Sequence, residues 1–309
     1  MFLKRGWTKL PGSTLAIGFF DGLHLGHQRV LAEAHRRASS SAPLCMVTFY
    51  PHPQRFLFPQ EPMRYLTLYS EKYLLFSRFC PGAFISFLRF GDNLRRMTPL
   101  VFLERITETF CPQVICIGEN FRFGFERQGT PYVLKTYLAS RGIEVVVLSS
   151  YKCEGEVVSS SRIREYLSQG KLEKVRTFLG FPFPVIGKVR RGRQIGRSLG
   201  FPTLNLYPPS RKLLPPPGVY IGNVFWEDQM NSPFRALVYT GMRPTFRDTK
   251  RQVVEVFVPY QSFPELYNRR VCVNFEQFVR KEMVFPSESA LRTQIQRDVE
   301  AFFLLSQRD

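Results

Sequence analysis

Histidine is scarce in this 309-residue chain, which has four copies of it. Two of them lie in one short stretch, residues 18–28 (GFFDGLHLGHQ). The six cysteines form no CxxC pair, and Cys45 and Cys116 lie in apolar runs that suit small buried thiols. We therefore expect reduced cysteines and a cytoplasmic protein.

Long apolar segments are also missing. No run reaches the roughly 18 apolar residues that a membrane-spanning helix needs, and the first residues lack the apolar stretch of a signal peptide. We therefore expect no membrane association. Of the residues, 44% are hydrophobic, which is enough for folded globular cores.

The positive charge is not concentrated in a tail. The formal net charge is +18, with 24 basic against 14 acidic residues over 1–182 and 19 against 11 over 183–309. A dispersed surplus suits anionic substrates such as nucleotides or a nucleic acid. A basic, solvated surface without a specific partner explains it equally well.

Residues 14–150 alternate between strand-like and helix-like segments. TLAIGFF (14–20) is typical of a short buried strand, and the segment after it has Val30, Leu31 and Ala34 at helical spacing. Three further strand–helix pairs and a final strand (144–150) follow. Such alternation predicts parallel strands joined by crossover helices, with ligands beyond the carboxyl ends of the strands.

The pattern changes after Pro184. Two short helical segments (160–170 and 172–180) precede it, and short strands separated by Gly, Pro, Asn and Arg follow. This spacing predicts an antiparallel barrel or sandwich, and the chain ends in an amphipathic helix (288–305). We place a domain boundary near 180–185, which gives domains of 1–182 and 183–309, and find no internal repeat.

The histidine pair lies where a strand turns into a helix. Gly18, Gly22 and Gly26 allow a tight turn and close approach of phosphate to backbone N–H groups. His24 and His27 lie at the mouth of that turn, where both could donate to the charge that develops on an attacked phosphate. The HxGH form occurs in nucleotidylyltransferases and class I aminoacyl-tRNA synthetases. A metal pair and ordinary surface histidines remain alternatives.

Other motifs accompany the pair. VTFYPHP (47–53) ends a strand, GENFRFGFERQG (118–129) follows another, and VSSSRIREYL (158–167) begins a helix. Ser160 and Ser161 near an N-cap, with Arg162 and Arg164 after them, could hold pyrophosphate. A simply capped helix would look the same.

The second half carries its own candidate site. GKVRRGRQIGRSLGFPTLNL (187–206) is rich in Gly and Arg and ends with Thr203 and Asn205, whose oxygens are plausible Mg²⁺ ligands. It is not a P-loop, because GxxxxGK[ST] is absent, and it could be a solvated hairpin. Glu255 is an acid in an apolar strand, so it is either functional or exposed on the outer side of a barrel.

Taken together, the motifs resemble the bacterial bifunctional riboflavin kinase/FAD synthetase family. The first half is similar to the adenylyltransferase module of the family, with the motifs GFFDGLHLGHQ, VTFYPHP, GENFRFGF and VSSSRIR in the same order. The second half is similar to the kinase module, with the stretch 187–206 followed by PPGVYIGNV, YTGMRPTF, VEVFV and LYNRRVCVNFEQFVRKEMVF. The resemblance runs from about Gly18 to about Phe302. It implies a Rossmann-like, doubly wound parallel sheet of the nucleotidyltransferase type, followed by an antiparallel β-barrel with a terminal helix.

For residues 1–182, the resemblance implies adenylylation of FMN by ATP to give FAD and pyrophosphate. His24 and His27 would contact the ATP phosphates as catalytic residues, and Phe123 would contact flavin. The other implied ATP and phosphate contacts in this half are Gly18, Phe19, Asp21, Gly26, Asn120, Ser160, Ser161 and Arg164.

For residues 183–309, it implies phosphorylation of riboflavin to FMN. Thr203 and Asn205 would bind Mg²⁺ and the ATP phosphates, Glu255 would be the base, and Arg280 would lie in a loop over the flavin. Gly192, Gly196 and Gly200 would also contact ATP. The implied partners are riboflavin, FMN and ATP, with Mg²⁺ as cofactor; we expect no nucleic acid partner, and the oligomeric state is left open.

Four departures from the family pattern stand out. Tyr50 replaces an acidic residue, Ser161 replaces Thr, and Asn268 replaces Gly; Asn120 also stands where many members have Asp. None removes a residue assigned to catalysis, so both activities are predicted to survive. The alternatives are another HxGH enzyme, a basic nucleic-acid-binding module, and a chain in which one module only binds.

Overall fold

The computed structural model describes residues 2–57, 60, 63–192, 194–226, 232–244, 250–259 and 266–306. Contacts between residues divide the chain into two compact units, Met1–Ser160 and Ser161–Asp309. Part of the YTGMRPTF motif (239–246) lies outside the described residues.

The first unit is built on a six-stranded sheet in which every strand is parallel to its neighbours. Its strands are β1 (Phe2–Arg5), β2 (Thr14–Ile17), β3 (Leu44–Tyr50), β4 (Phe84–Arg89), β5 (Val114–Gly118) and β6 (Glu144–Leu148). Its helices are α1 (Leu25–Arg37), α2 (Pro53–Leu57), α3 (Tyr69–Phe79), α4 (Asp92–Arg95), α5 (Pro99–Phe110) and α6 (Pro131–Ala139). A short hairpin, β7 (Lys152–Cys153) and β8 (Glu156–Val157), follows.

The strand order, β1-β4-β3-β2-β5-β6, confirms the predicted doubly wound sheet and locates its ligand-binding edge. From β2 the chain proceeds to β3 and β4 on one side, then to β5 and β6 on the other. In such sheets ligands bind beyond the carboxyl ends of the strands where the order reverses. That point lies between β2 and β5, so it is served by the turn that carries the two histidines and by the loop that carries Asn120.

Helix α1 buries the apolar face that its sequence spacing predicts. Val30, Leu31 and Ala34 are buried, as their helical spacing predicted. The sheet between the helices is packed with aliphatic and aromatic side chains, including Leu15, Ile17 and Ile115. The described chain contains no helix that is long and apolar enough to cross a membrane.

The second unit is an antiparallel sheet curled on itself. Two helices, α7 (Ser160–Ser168) and α8 (Leu172–Leu179), precede it, and its strands run in the order β10-β13-β12-β11-β14-β9. These are β9 (Phe183–Lys188), β10 (Leu204–Leu206), β11 (Gly218–Trp226), β12 (Phe234–Pro244), β13 (Lys250–Phe257) and β14 (Arg270–Lys281). A short helix, α9 (Ile195–Ser198), and the long α10 (Glu288–Ser306) complete the unit.

A bridge between Arg190 and Asn205 joins the two ends of this sheet order. The backbone N–H of Arg190, just beyond β9, donates to the carbonyl of Asn205 in β10 at 2.8 Å. The sheet is therefore a barrel, as the family resemblance implied, and not the sandwich that the sequence pattern left open.

Helix α8 packs with the second unit. Its buried face is formed by Leu172, Val175, Phe178 and Leu179, and it contacts β9 and β14. The contact boundary therefore falls at residues 160/161, about 20 residues before the 180–185 region, where the sequence changes character. The functional boundary at 182/183 remains a prediction.

Candidate active sites

The turn between β2 and α1 is tightly wound. Phe20, Gly22 and Leu23 have φ angles of 55°, 85° and 47°, and two of these left-handed residues are not glycine. A left-handed backbone conformation costs free energy in a residue other than glycine, and it persists only where the surrounding structure stabilises it. Phe20 and Leu23 are buried, so core packing holds the turn in this shape.

His24 and His27 form a stacked pair at the start of α1. Their ring centroids are 3.6 Å apart with an interplanar angle of 16°. His24 is the N-cap of α1, and its Nδ1 accepts a hydrogen bond from the backbone N–H of His27 at 3.3 Å. A Cβ on Gly26 would lie 3.2 Å from the His24 ring, so glycine leaves room for that ring.

The electrostatics of the pair favour a neutral His27. Burial, followed by the charges of His24 and Lys72, lowers the pKa of His27 well below its usual value. Its Nδ1 is buried and has no hydrogen-bond partner within the described part of the chain. A neutral imidazole at a helix N-terminus can donate to an anionic oxygen.

Asp21, one of the predicted ATP contacts, lies within the turn between β2 and α1. It is 2% exposed, and its carboxylate accepts hydrogen bonds from the backbone N–H groups of Leu66 and Thr67 and from the Thr67 hydroxyl, at 2.9–3.2 Å. Ser160 Oγ donates to the Asp21 carbonyl at 2.8 Å. In this structure Asp21 and Ser160 fix the shape of the turn.

Gly18 and Asn120 lie just beyond the carboxyl ends of β2 and β5. Gly18 donates its N–H to the Val47 carbonyl at 3.1 Å, and Asn120 is exposed after β5, where its Nδ2 donates to Ser150 Oγ at 3.1 Å. Ser161 and Arg164 lie in the first turns of α7.

Phe123 lies in the loop after β5. Its ring is 6% exposed and packs against Phe102 and Phe121, with centroid distances of 5.3 and 5.5 Å. The flavin contact that the resemblance implies for it remains a prediction. A Cβ on Gly129 would lie 2.6 Å from this ring. Phe123 pairs with Gly129 in a small bridge, and its ring is buried while that of Phe125 in the same loop is exposed.

Sequence reasoning missed Lys72, which lies behind the turn. Phe19, one of the predicted ATP contacts, offers its carbonyl to the Lys72 ammonium, and Lys72 Nζ lies 3.7 Å from the centroid of the Phe19 ring. Lys72 is on the buried face of α3 together with Leu75 and Phe76. The available signal was a lysine three and four residues before two apolar positions of a predicted helix.

The candidate site of the second unit joins three predicted residues. Asn205 and Glu255 are directly paired between β10 and β13. Thr203 Oγ1 lies 3.5 Å from a carboxylate oxygen of Glu255, and Asn205 Nδ2 lies 3.3 Å from Thr203 Oγ1. A hydroxyl, an amide and a carboxylate therefore meet at one end of the barrel.

The glycines of the preceding loop fit closely around this group. A Cβ on Gly192 would lie 2.6 Å from the Asn205 side chain, and one on Gly196 would lie 2.4 Å from the Phe201 carbonyl. Gly200 has a φ of +89°. Asn268, which replaces a family glycine, keeps a left-handed φ of 62°, a conformation that Asn tolerates, and accepts a hydrogen bond from Arg190.

Arg280 lies in β14 and not in a loop, which corrects the placement implied by the resemblance. The strand continues through Lys281 because its end pairs with Gly218 of β11. The Arg280 guanidinium makes two 2.7 Å hydrogen bonds to the Asp298 carboxylate on α10. This bidentate ion pair ties the end of the strand to the terminal helix.

The donor set of the barrel site is suited to Mg²⁺. Magnesium binds oxygen ligands and usually takes few from the protein when phosphates supply others. Thr203, Asn205 and Glu255 offer a hydroxyl, an amide and a carboxylate oxygen within a few ångströms. Within the described residues there is no group of three or more His, Cys, Asp and Glu side chains that could hold a metal without such help.

The two folds and their sites define an enzyme with two phosphate-transfer modules, one of the nucleotidyltransferase type and one barrel kinase. Comparisons with known proteins agree: an FAD synthetase family model matches residues 8–162, and a riboflavin kinase family model matches residues 179–303. The chain belongs to the family of bifunctional riboflavin kinases/FMN adenylyltransferases.

Curated relatives match along nearly the whole chain. The bifunctional riboflavin kinase/FMN adenylyltransferase of Pseudomonas fluorescens is 31% identical, covering 97% of this chain and 96% of the relative. That of Escherichia coli K12 is 30% identical, covering 93% and 90%. A crystal structure described as a macrolide-efflux protein from Streptococcus pneumoniae matches with a TM-score of 0.82 and 25% identity, covering 98% and 99%.

Proposed function

We propose that residues 1–182 transfer the adenylyl group of ATP to FMN, and that residues 183–309 transfer the γ-phosphate of ATP to riboflavin. The observation that carries the first assignment is the stacked pair of His24 and His27 at the reversal point of the parallel sheet. The second assignment rests on the approach of Thr203, Asn205 and Glu255 at one end of the barrel.

The adenylyl transfer uses the turn as a phosphate site. A phosphate oxygen of FMN attacks the α-phosphorus of ATP, the bond from that phosphorus to the bridging oxygen breaks, and pyrophosphate leaves. Nε2 of the neutral His27 and the N-terminus of α1 stabilise the charge that develops on the α-phosphate oxygens. His24 orients this imidazole by stacking on it.

The other residues of the first module divide into ligand contacts and supports. Gly18 and Gly26 give phosphate access to the turn, Asn120 binds phosphate through its amide, and Ser161 and Arg164 hold pyrophosphate. Asp21, Ser160 and Phe19 support the turn through the hydrogen bonds described above.

The kinase step requires a base at the ribityl end of riboflavin. Glu255 accepts the proton of the terminal hydroxyl, whose oxygen attacks the γ-phosphorus of ATP while ADP leaves. Thr203 and Asn205 hold Mg²⁺, which supplies charge neutralisation of the ATP phosphates when bound. Gly192, Gly196 and Gly200 let the loop approach those phosphates.

The cellular setting follows from the same chemistry. All six cysteines have free thiols, which supports action in the reducing cytoplasm. The dispersed positive charge draws anionic nucleotides towards the protein, and no nucleic acid partner is needed to account for it.

Product balance tests the function. With FMN and ATP, we expect one pyrophosphate for each FAD; with riboflavin and ATP, we expect one ADP for each FMN. ATP turnover that does not depend on flavin would contradict the assignment, and so would salt-sensitive binding of arbitrary RNA without either reaction.

The magnesium ligands are tested by one substitution. Thr203→Val removes the hydroxyl, so the MgCl₂ concentration that gives half-maximal FMN formation should rise several-fold. Thr240→Val, the same change at a buried position of β12, should leave it unchanged. An unchanged requirement in Thr203→Val would remove Thr203 from the metal site.

A further inference from the structure

Lys72 is a lysine enclosed by the first unit. Lys72 is 2% exposed. Its ammonium donates hydrogen bonds to the Phe19 carbonyl and, at 3.3 Å, to Thr48 Oγ1. The Phe19 ring lies against the ammonium at 3.7 Å. Both hydrogen-bond acceptors are uncharged, so neither of them neutralises the positive charge of Lys72.

The contacts of Lys72 connect it to the proposed ATP site. Phe19 lies in the turn between β2 and α1, directly before Phe20, whose ring packs edge-on against His27 at 5.3 Å. The Phe19 ring also packs against His52, with a centroid distance of 3.8 Å. Thr48 of β3 donates to the same Phe19 carbonyl at 3.0 Å. Lys72 and Thr48 therefore both stabilise the turn through its Phe19 carbonyl.

We propose that Lys72 is a positioning residue of the adenylyltransferase site, an inference that rests on the function proposed above. Its ammonium holds the Phe19 carbonyl, and with it the turn that carries His24 and His27. Its charge attracts the phosphates that this turn binds.

The electrostatics around Lys72 make its charge sensitive to anions bound at the turn. Burial lowers the pKa of Lys72 to about 7, while the negative charge of Asp21 acts to raise it. Lys72 in turn contributes to the lowered pKa of His27. ATP phosphates at the turn would stabilise the ammonium, so ATP binding near pH 8 should draw a proton onto Lys72. The ionisable groups that interact with it are Asp21 and His27, and Glu71 is its neighbour in the chain.

Lys72→Met is the test variant. Methionine preserves most of the side-chain volume, and the Phe19 carbonyl stays paired because it keeps its hydrogen bond from Thr48. We expect KM for ATP in FAD formation to rise about 10-fold or more, the size of a charged hydrogen bond. Riboflavin phosphorylation in the same chain should stay within two-fold.

Lys212→Met is the matched control. Lys212 is also fully buried, donates to a backbone carbonyl (Pro184, 2.8 Å) and lies over an aromatic ring (Phe183, 4.5 Å), but it belongs to the second unit. FAD formation in this variant should match the unsubstituted protein. If FAD formation in Lys72→Met also stays within two-fold, the proposal is overturned.

Proton uptake separates the proposed role from a purely structural one. Calorimetric heats of ATP binding at pH 8, compared in buffers of different ionisation enthalpy, should show proton uptake in the unsubstituted protein and less in Lys72→Met. Equal uptake in the two proteins would overturn the role of the charge. If Lys72→Met does not fold, absence of uptake in the unsubstituted protein has the same consequence.

Failure of this inference can be told apart from failure of the proposed function. An unsubstituted protein that makes no FAD contradicts the function, while ATP binding and its proton uptake still test Lys72. An unsubstituted protein that makes FAD, alongside an unaffected Lys72→Met, contradicts only the inference.

Discussion

His27→Ala should stop FAD formation and leave riboflavin phosphorylation intact. The variant removes the imidazole that we assign to the α-phosphate, together with its stacking on His24. It does not remove the N-cap hydrogen bond of α1, because that bond uses the backbone N–H of residue 27. The helix should therefore remain capped, and the loss should be confined to the site.

The structure sets the size of the effect. Because burial and neighbouring charges lower the pKa of His27, it acts as one neutral donor. Loss of a single preorganised donor to a developing oxyanion costs about 100- to 1,000-fold in kcat, or about 3–4 kcal/mol. Loss of the ring contact with His24 adds to this by loosening the orientation of His24.

Chromatographic separation of FMN and FAD after incubation with FMN, ATP and MgCl₂ measures the loss. The kinase reaction of the same preparation reports the folded concentration. His35→Ala, on the exposed surface of the same helix, should leave both activities unchanged. FAD formation by His27→Ala within 10-fold of the unsubstituted rate, or a parallel loss of both activities in a folded chain, would refute the reasoning.

The remaining predictions concern the other site, the supports of the turn and pH. Glu255→Gln should lower FMN formation by about 100- to 10,000-fold as a lost general base, while FMN is still converted to FAD; unchanged kinase turnover would exclude Glu255 as the base. Phe123→Ala should lower the free energy of unfolding by about 3–5 kcal/mol, which denaturant titration measures. Asn120→Ala, at an exposed position, should reduce FAD formation in flavin assays with little change in stability. The reverse pattern would contradict the two assignments. Asp21→Asn should cost about 1–3 kcal/mol through an unpaired buried N–H group, which thermal unfolding measures, and an unchanged melting temperature would contradict its supporting role. Because the pKa of His27 is lowered in the folded state, its unfolded form takes up a proton first as pH falls below about 6.5; the melting temperature should therefore fall more between pH 7 and pH 5 in the unsubstituted protein than in His27→Gln, and equal falls would contradict the shift.

Helices and strands could be predicted from the sequence where the local apolar pattern marks the same face that the tertiary fold buries. Helix α1 and the parallel strands follow from apolar spacing because each buries the face that the spacing marks. The histidine turn was predictable because glycines and a helix start lie together in the chain. The pairing of Asn205 with Glu255 was not, since the register of strands 50 residues apart is set by the barrel.

One expectation was wrong because a motif was transferred without its packing: the resemblance implied that Arg280 lies in a loop. Arg280 lies in a strand because β11 extends far enough to pair with it. Lys72 was missed because a lysine in a helix is usually solvated, and only the tertiary fold brings the Phe19 carbonyl to its ammonium.

One time course tests the central claim most directly. The purified protein is incubated with riboflavin, ATP and MgCl₂, and the flavins are separated by chromatography at successive times. Two working modules predict that FMN appears first and that FAD follows at its expense. FMN that accumulates without FAD would contradict the assignment of the histidine turn, and the absence of both products would contradict the account of both sites.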